Sequence, residues 1–79
     1  MRDTLKEHLL LEQLDTISPR AQFTMQVVLE NPQGDGRYAH SWSTESARTR
    51  LVEDVEEARE AGLIKIDKVE VDRIVISLP

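Results

Sequence analysis

The stretch STESARTRLVEDVEEAREAG, from Ser43 to Gly62, constrains the fold of this chain more than any other. Ala47, Leu51, Val55 and Ala58 recur at steps of four, four and three, which places them on one face of a helix. Ser43 and Thr44 offer hydroxyl oxygens to the orphan N–H groups of a first turn, and Glu45 sets negative charge at the positive end of the dipole. Gly62 stands where a left-handed C-terminal residue is wanted, and Leu63 follows to pack back on the last turn. No Pro or Gly interrupts the interior. The spacing predicts a helix over residues 44–61, with an apolar seam that the rest of the chain must cover.

The solvent side of that helix is unusually acidic. Glu53, Asp54, Glu56, Glu57 and Glu60 crowd together, with Arg59 alone among them. Glu53–Glu57 and Glu56–Glu60 are like-charge pairs at four-residue spacing, each costing about 0.2–0.5 kcal/mol. Several of these acids also oppose the negative end of the helix dipole. Arg50 with Asp54, and Glu56 with Arg59, are expected to offset part of this. Charge gathered where local energetics disfavour it has two readings. It is a solvated face, or it is a face that meets a basic partner.

Elsewhere the pattern supplies short elements. Thr4 and Glu7 fit a capping box, and Leu5, Leu9 and Leu10, widened by Leu11 and continued by Leu14 and Ile17, predict a helix near residues 5–15. Ser18–Pro19 is expected to stop it. From Ala21 to Glu30 the apolar residues alternate: Ala21, Phe23, Met25, Val27 and Leu29 against Gln22, Thr24, Gln26, Val28 and Glu30. That period predicts a strand with one buried face. Asn31-Pro32-Gln33-Gly34-Asp35-Gly36 is a cluster of turn formers, and a strand at 37–42 would complete a hairpin with Glu30 opposite Arg37. Val69–Leu78 reads as a last strand with a bulge at Asp72–Arg73, or else as two shorter strands. The expected fold is α+β with topology α-β-β-α-β. Its three-stranded antiparallel sheet has order 2-1-3, both helices lie on one face, and the open face is small, polar and nearly uncharged.

Seventy-nine residues make a single small domain, 1–79, that buries only about 60–65% of its unfolded surface. The formal charge is −5 and neither half is strongly basic, which argues against direct binding of nucleic acid or of anionic lipid through clustered Lys and Arg. Cysteine is absent, so no disulfide staples the fold and no thiolate holds a metal. The longest apolar run near the N-terminus, Leu9–Leu11, is neither a membrane span nor a signal core, and a cytoplasmic location follows by default.

The residues that could carry chemistry fall short of a site. His8 and Glu12 have metal-binding spacing but lack a third ligand. His40, between Tyr38 and Trp42, has neither nucleophile nor second acid–base group implied beside it. Gly34-Asp35-Gly36-Arg37 precedes a strand, whereas a phosphate cradle precedes a helix. The expectation is therefore a protein that is not an enzyme and takes no cofactor or metal. Glu53, Asp54, Glu56, Glu57, Glu60 and Trp42 are its expected partner-binding residues, Trp42 because Trp is over-represented at interface hot spots. In size, acidity and lack of catalytic residues the chain is similar to phage-encoded inhibitors of restriction and CRISPR systems, a likeness of class that rests on no motif. It implies a small inhibitor or regulator that occludes a basic, nucleic-acid-binding surface of a larger protein. The alternative is a homodimeric structural or accessory subunit, with a second copy covering the Leu-rich helix or the open sheet face.

Overall fold

The computed structural model describes residues 4–79, with side chains described from His8 onward. Along the chain run α1 (Thr4–Gln13), a 3-10 turn (Leu14–Thr16), α2 (Pro19–Leu29), β1 (Pro32–Gly34), β2 (Arg37–Ser41), α3 (Glu45–Glu60), β3 (Lys65–Val69) and β4 (Arg73–Ser77). The four strands form one antiparallel sheet of order β1-β2-β4-β3. The α+β class is as expected. The described residues, however, hold three helices and four strands where two and three were predicted.

The largest correction is α2, which replaces the strand predicted over 21–30. Ser18 and Pro19, taken from sequence as a stop, are also a start. Ser18 is the N-cap of α2, its hydroxyl oxygen accepting from the Ala21 N–H at 3.3 Å, and Pro19 occupies the first turn, where its missing N–H costs nothing. The segment satisfies two periods at once. Ala21, Met25, Val28 and Leu29 lie at helical spacing and are buried, whereas Phe23, expected inside, is 68% exposed and Val27 only half-buried. Length should have decided between the periods. Eleven residues exceed a usual strand, while three turns make an ordinary helix. No continuous face of Gln22, Thr24 and Gln26 remains to line a sheet.

Losing that strand reorders the sheet. Only Pro32–Gly34 pairs with β2 on its outer edge, across a tight turn in which Asp35 and Gly36 both have positive φ (54° and 72°). That is the two-residue hairpin geometry that Asp-Gly favours. The predicted pairing of Glu30 with Arg37 gives way to Gly34 with Arg37. On its other side β2 pairs directly with β4, Tyr38 facing Ile76 and His40 facing Ile74. Residues 65–77 form two strands, β3 and β4, the second of the sequence readings, with β3 beginning ahead of the predicted start at Val69. The irregularity falls between Ile66 and Lys68, and Asp72–Arg73 closes the β3–β4 turn.

The α3 prediction agrees closely with the structure. Thr44 is the N-cap, its hydroxyl accepting from the Ala47 N–H at 3.1 Å. The helix ends with Gly62 at φ 79°, the Gly62 N–H donating to the Arg59 carbonyl (2.9 Å) and the Leu63 N–H to that of Ala58 (3.0 Å). This paired closure satisfies two orphan carbonyls and folds Leu63 into the core. Leu51, Val55 and Ala58 are buried as expected; Ala47 is exposed. From the N-terminal segment Leu10, Leu14 and Ile17 enter the core, while Leu9 and Leu11 remain 48% exposed. The capping box read at Thr4 and Glu7, and Leu5 with it, lie outside the described side chains.

Helices and sheet meet in one core of Met25, Val28, Leu29, Tyr38, Leu51, Val55, Ile74, Ile76 and their neighbours. The opposite sheet face has Ala39 and Val75 at its centre, buried but outside that core. Strand parity puts Arg37, Lys65, Lys68 and Arg73 around them, with Asp67 linking Ser77 and Arg37. The face expected to be nearly uncharged is instead rich in cations. No described helix is long and apolar enough to cross a membrane.

The two readings of 21–30 differ in a measurable way. Met25→Ala should destabilise the protein by about 2–5 kcal/mol, the cost of a buried truncation. Phe23→Ser should stay within about 0.5 kcal/mol, since the ring is exposed and the helix propensities are close. A strand with alternating burial would lose comparable stability from both. Urea unfolding of the two variants decides it.

Candidate functional site

Five of the six residues singled out from sequence lie on α3, and the seam that α3 makes with α2 is polar. Asp54, midway along α3, is the buried charged side chain among the described residues. Its Oδ1 accepts from Arg20 Nε at 2.8 Å and its Oδ2 from the Thr24 hydroxyl at 2.7 Å. Arg20 and Thr24 stand four apart on α2 and so point to the same partner. Arg20 also reaches Glu53 at 3.2 Å. One turn along α3, Glu57 accepts from the Ser18 N–H at 2.6 Å and from its hydroxyl at 3.0 Å. The residue that caps α2 is thus itself held by α3.

This network reassigns part of the expected docking face. Asp54 has no surface left to offer, and both oxygens of Glu57 are engaged within the fold. The hydrogen bond and charge of Asp54, helped by Glu53, hold the Arg20 guanidinium above its ordinary pKa. The like-charge pair Glu53–Glu57 is relieved because each side chain turns to a different partner on α2. The predicted pairing of Arg50 with Asp54 is not formed. Arg59 does pair with Glu56, at 2.7 Å, and that contact raises its pKa. Sequence reasoning missed Arg20, Thr24 and Ser18 because their convergence exists only if 19–29 is a helix.

What α3 still presents to solvent is a ridge of Glu45, Glu53, Glu56 and Glu60. Three of these have an arginine nearby: Arg48 at 3.3 Å from Glu45, Arg20 from Glu53 and Arg59 from Glu56. All three pairs are exposed, so each adds little to stability.

Trp42 lies beyond the N-terminal end of α3, half-buried against the core, with the Arg48 guanidinium 5.8 Å from its ring centroid. It forms one wall of a groove of about 200 Å³ between α2, α3 and β2. Phe23, Val27, Ala47 and Leu51 supply the remaining apolar lining; Thr24, His40, Ser41 and Arg50 supply the polar groups. His40 is therefore on the core side of the sheet, as expected, but at its margin. At the other end of the molecule the His8–Glu12 pair stands 3.2 Å apart with both side chains exposed.

Fold and site together define a small α+β protein whose helical side combines an acidic ridge with an aromatic groove. Compared with protein-family models, with curated proteins and with solved structures, the chain gives no match in any of the three.

The seam itself is testable. Thr24→Val preserves shape and β-branching but removes a donor from a buried carboxylate, and should cost about 1–3 kcal/mol. Arg37→Gln, which removes an exposed contact of 3.7 Å to Asp67, should stay within about 0.5 kcal/mol. Chemical denaturation of both measures the difference. Equal losses would mean that Asp54 does not depend on its α2 partners.

Proposed function

We propose that this protein is a non-enzymatic binding module that docks through α3 on a basic surface of a larger protein, and that it inhibits or regulates by occluding a surface that otherwise holds nucleic acid. One observation carries the reading. After Asp54 and Glu57 have been drawn into the fold, Glu45, Glu53, Glu56 and Glu60 still point outward along one helix, where packing does not require them. Glu56 and Glu60 remain a like-charge pair at four-residue spacing. A basic partner would relieve that repulsion and be steered by it. Trp42, with Arg48 beside its ring, stands at the N-terminal end of the ridge and supplies an apolar contact of the kind that dominates interface energies.

Neutralising only the acids that the fold does not use separates binding from folding. Glu56→Gln with Glu60→Gln should stay within about 0.5 kcal/mol of wild-type stability, because the relieved repulsion is offset by loss of the exposed Glu56–Arg59 pair. Binding of the same variant to the basic protein captured by wild type should weaken, mainly through slower association. The deficit should shrink as salt approaches about 0.5 M, where the screening length is roughly 4–5 Å. Competing duplex DNA should release the wild-type complex if the occluded surface is a nucleic-acid site. Equal association rates for variant and wild type at low salt would remove the ridge from the interface.

A second reading rests on α1. Leu9 and Leu11 are 48% exposed, and Leu9 borders a second groove of about 190 Å³ with Leu63, Leu78 and Pro79. A second copy packed there would bury leucines that a monomer leaves wet, as in a homodimeric accessory subunit. Sedimentation equilibrium at high micromolar concentration tests it: an 18 kDa species, about twice the 9.0 kDa chain, is the expected dimer. A species that stays at 9.0 kDa rejects it.

A further inference from the structure

We infer that the groove between α2, α3 and β2 is a peptide-binding site, and that its occupant is a segment carrying a large apolar side chain next to a carboxylate. The apolar half of the argument is the wall. Phe23 is 68% exposed on a helix that has buried Met25, Val28 and Leu29, and Trp42 faces the same groove, half-buried. An exposed aromatic alone is ordinary, but two of them bordering one concavity make an anchor pocket.

The charged half is Arg50. Arg20, Arg37, Arg48, Arg59 and Arg73 each have a carboxylate oxygen within 4.0 Å. Arg50 is the described arginine that has none, because Asp54, one helical turn away, is fully engaged by Arg20 and Thr24. Arg50 lines the groove together with Phe23, Trp42 and His40. A planar cation next to an apolar slot recognises a carboxylate through paired N–H donors while the slot takes the adjacent side chain.

Size decides between a peptide and a cofactor. Sites for cofactors and drug-sized ligands usually enclose about 300–1,000 Å³. At about 200 Å³ and open to solvent, this groove admits one side chain and leaves the attached backbone outside. The inference does not rest on the acidic ridge, since Glu56 and Glu60 lie on the next face of α3 and take no part in it.

Two capped tetrapeptides test the idea on the intact chain: acetylated, amidated Glu-Leu-Phe-Asp, and the same core flanked by Lys at both ends. In a nitrogen–proton NMR titration the acidic peptide should shift the Trp42 indole N–H and the amides of Thr24, Val27 and Ala47. Its dissociation constant should be about 1 mM, as a single anchor gives, and the Lys-flanked peptide should bind at least about tenfold more weakly. Arg50→Gln, an exposed substitution, should reduce that discrimination to about twofold or less. Phe23→Ser should weaken both peptides while keeping their ratio. The inference is overturned if neither peptide shifts the groove resonances at solubility-limited concentration, if the shifts fall elsewhere, or if Arg50→Gln keeps the discrimination. A failed ridge variant in the earlier experiment leaves these outcomes untouched, because no ridge carboxylate is altered here.

Discussion

The contact on which this structure turns is the buried carboxylate of Asp54, held by Arg20 and Thr24 across the seam between α2 and α3. A carboxylate taken wholly out of water is costly unless its lone pairs are met, and here each oxygen has a donor shorter than 2.9 Å. Such a pair contributes little net stability, because attraction in the interior roughly offsets desolvation. Its effect lies in what it forbids. Sliding or rotating α2 along α3 would leave Asp54 buried without partners, so the polar seam fixes a register that the apolar residues alone would leave loose. Glu57 on Ser18 adds a second fixed point, tying the start of α2 to the last third of α3.

From that register the functional side follows. Fixing α2 turns Met25 and Val28 inward and leaves Phe23 facing out, beside the groove that Trp42 closes. Because Arg20 takes Asp54, Arg50 is left without an acid and becomes available at the groove. The acids of α3 are divided in the same way. Asp54 and Glu57 on the α2 side hold the fold, Glu45, Glu56 and Glu60 belong to the ridge alone, and Glu53 stands in the ridge while also touching Arg20. One helix therefore supplies both the clamp and the proposed interface, and a substitution on α3 acts on stability or on binding according to which side it touches.

Charge is segregated on the larger scale as well. The sheet face away from the core gathers Arg37, Lys65, Lys68 and Arg73, and its nearest acids are Asp67 and the β3–β4 turn residues Glu70 and Asp72. A net charge of −5 conceals this division, because overall composition sums what the fold separates. Those contacts are long and exposed, so they do little for stability and leave the long side chains to shield Ala39 and Val75.

The sequence by itself determined α3, its caps and its buried seam, because those signals are local. Thr44, Gly62 and the Leu51–Val55–Ala58 spacing act within a few residues and need no knowledge of the partner surface. It also determined the Asp35–Gly36 turn, since few residues accept two successive positive φ angles. Tertiary structure decided the rest. Residues 21–30 carry both periods, and although their length leans toward a helix, packing settles the conflict: a helix there satisfies Asp54 and Glu57, whereas a strand would leave both without their α2 partners. For the same reason the site was half legible. Trp42 and the outer glutamates could be named from residue type and spacing. The burial of Asp54, the release of Arg50 and the exposure of Phe23 depend on contacts between residues some thirty positions apart, which no local pattern encodes.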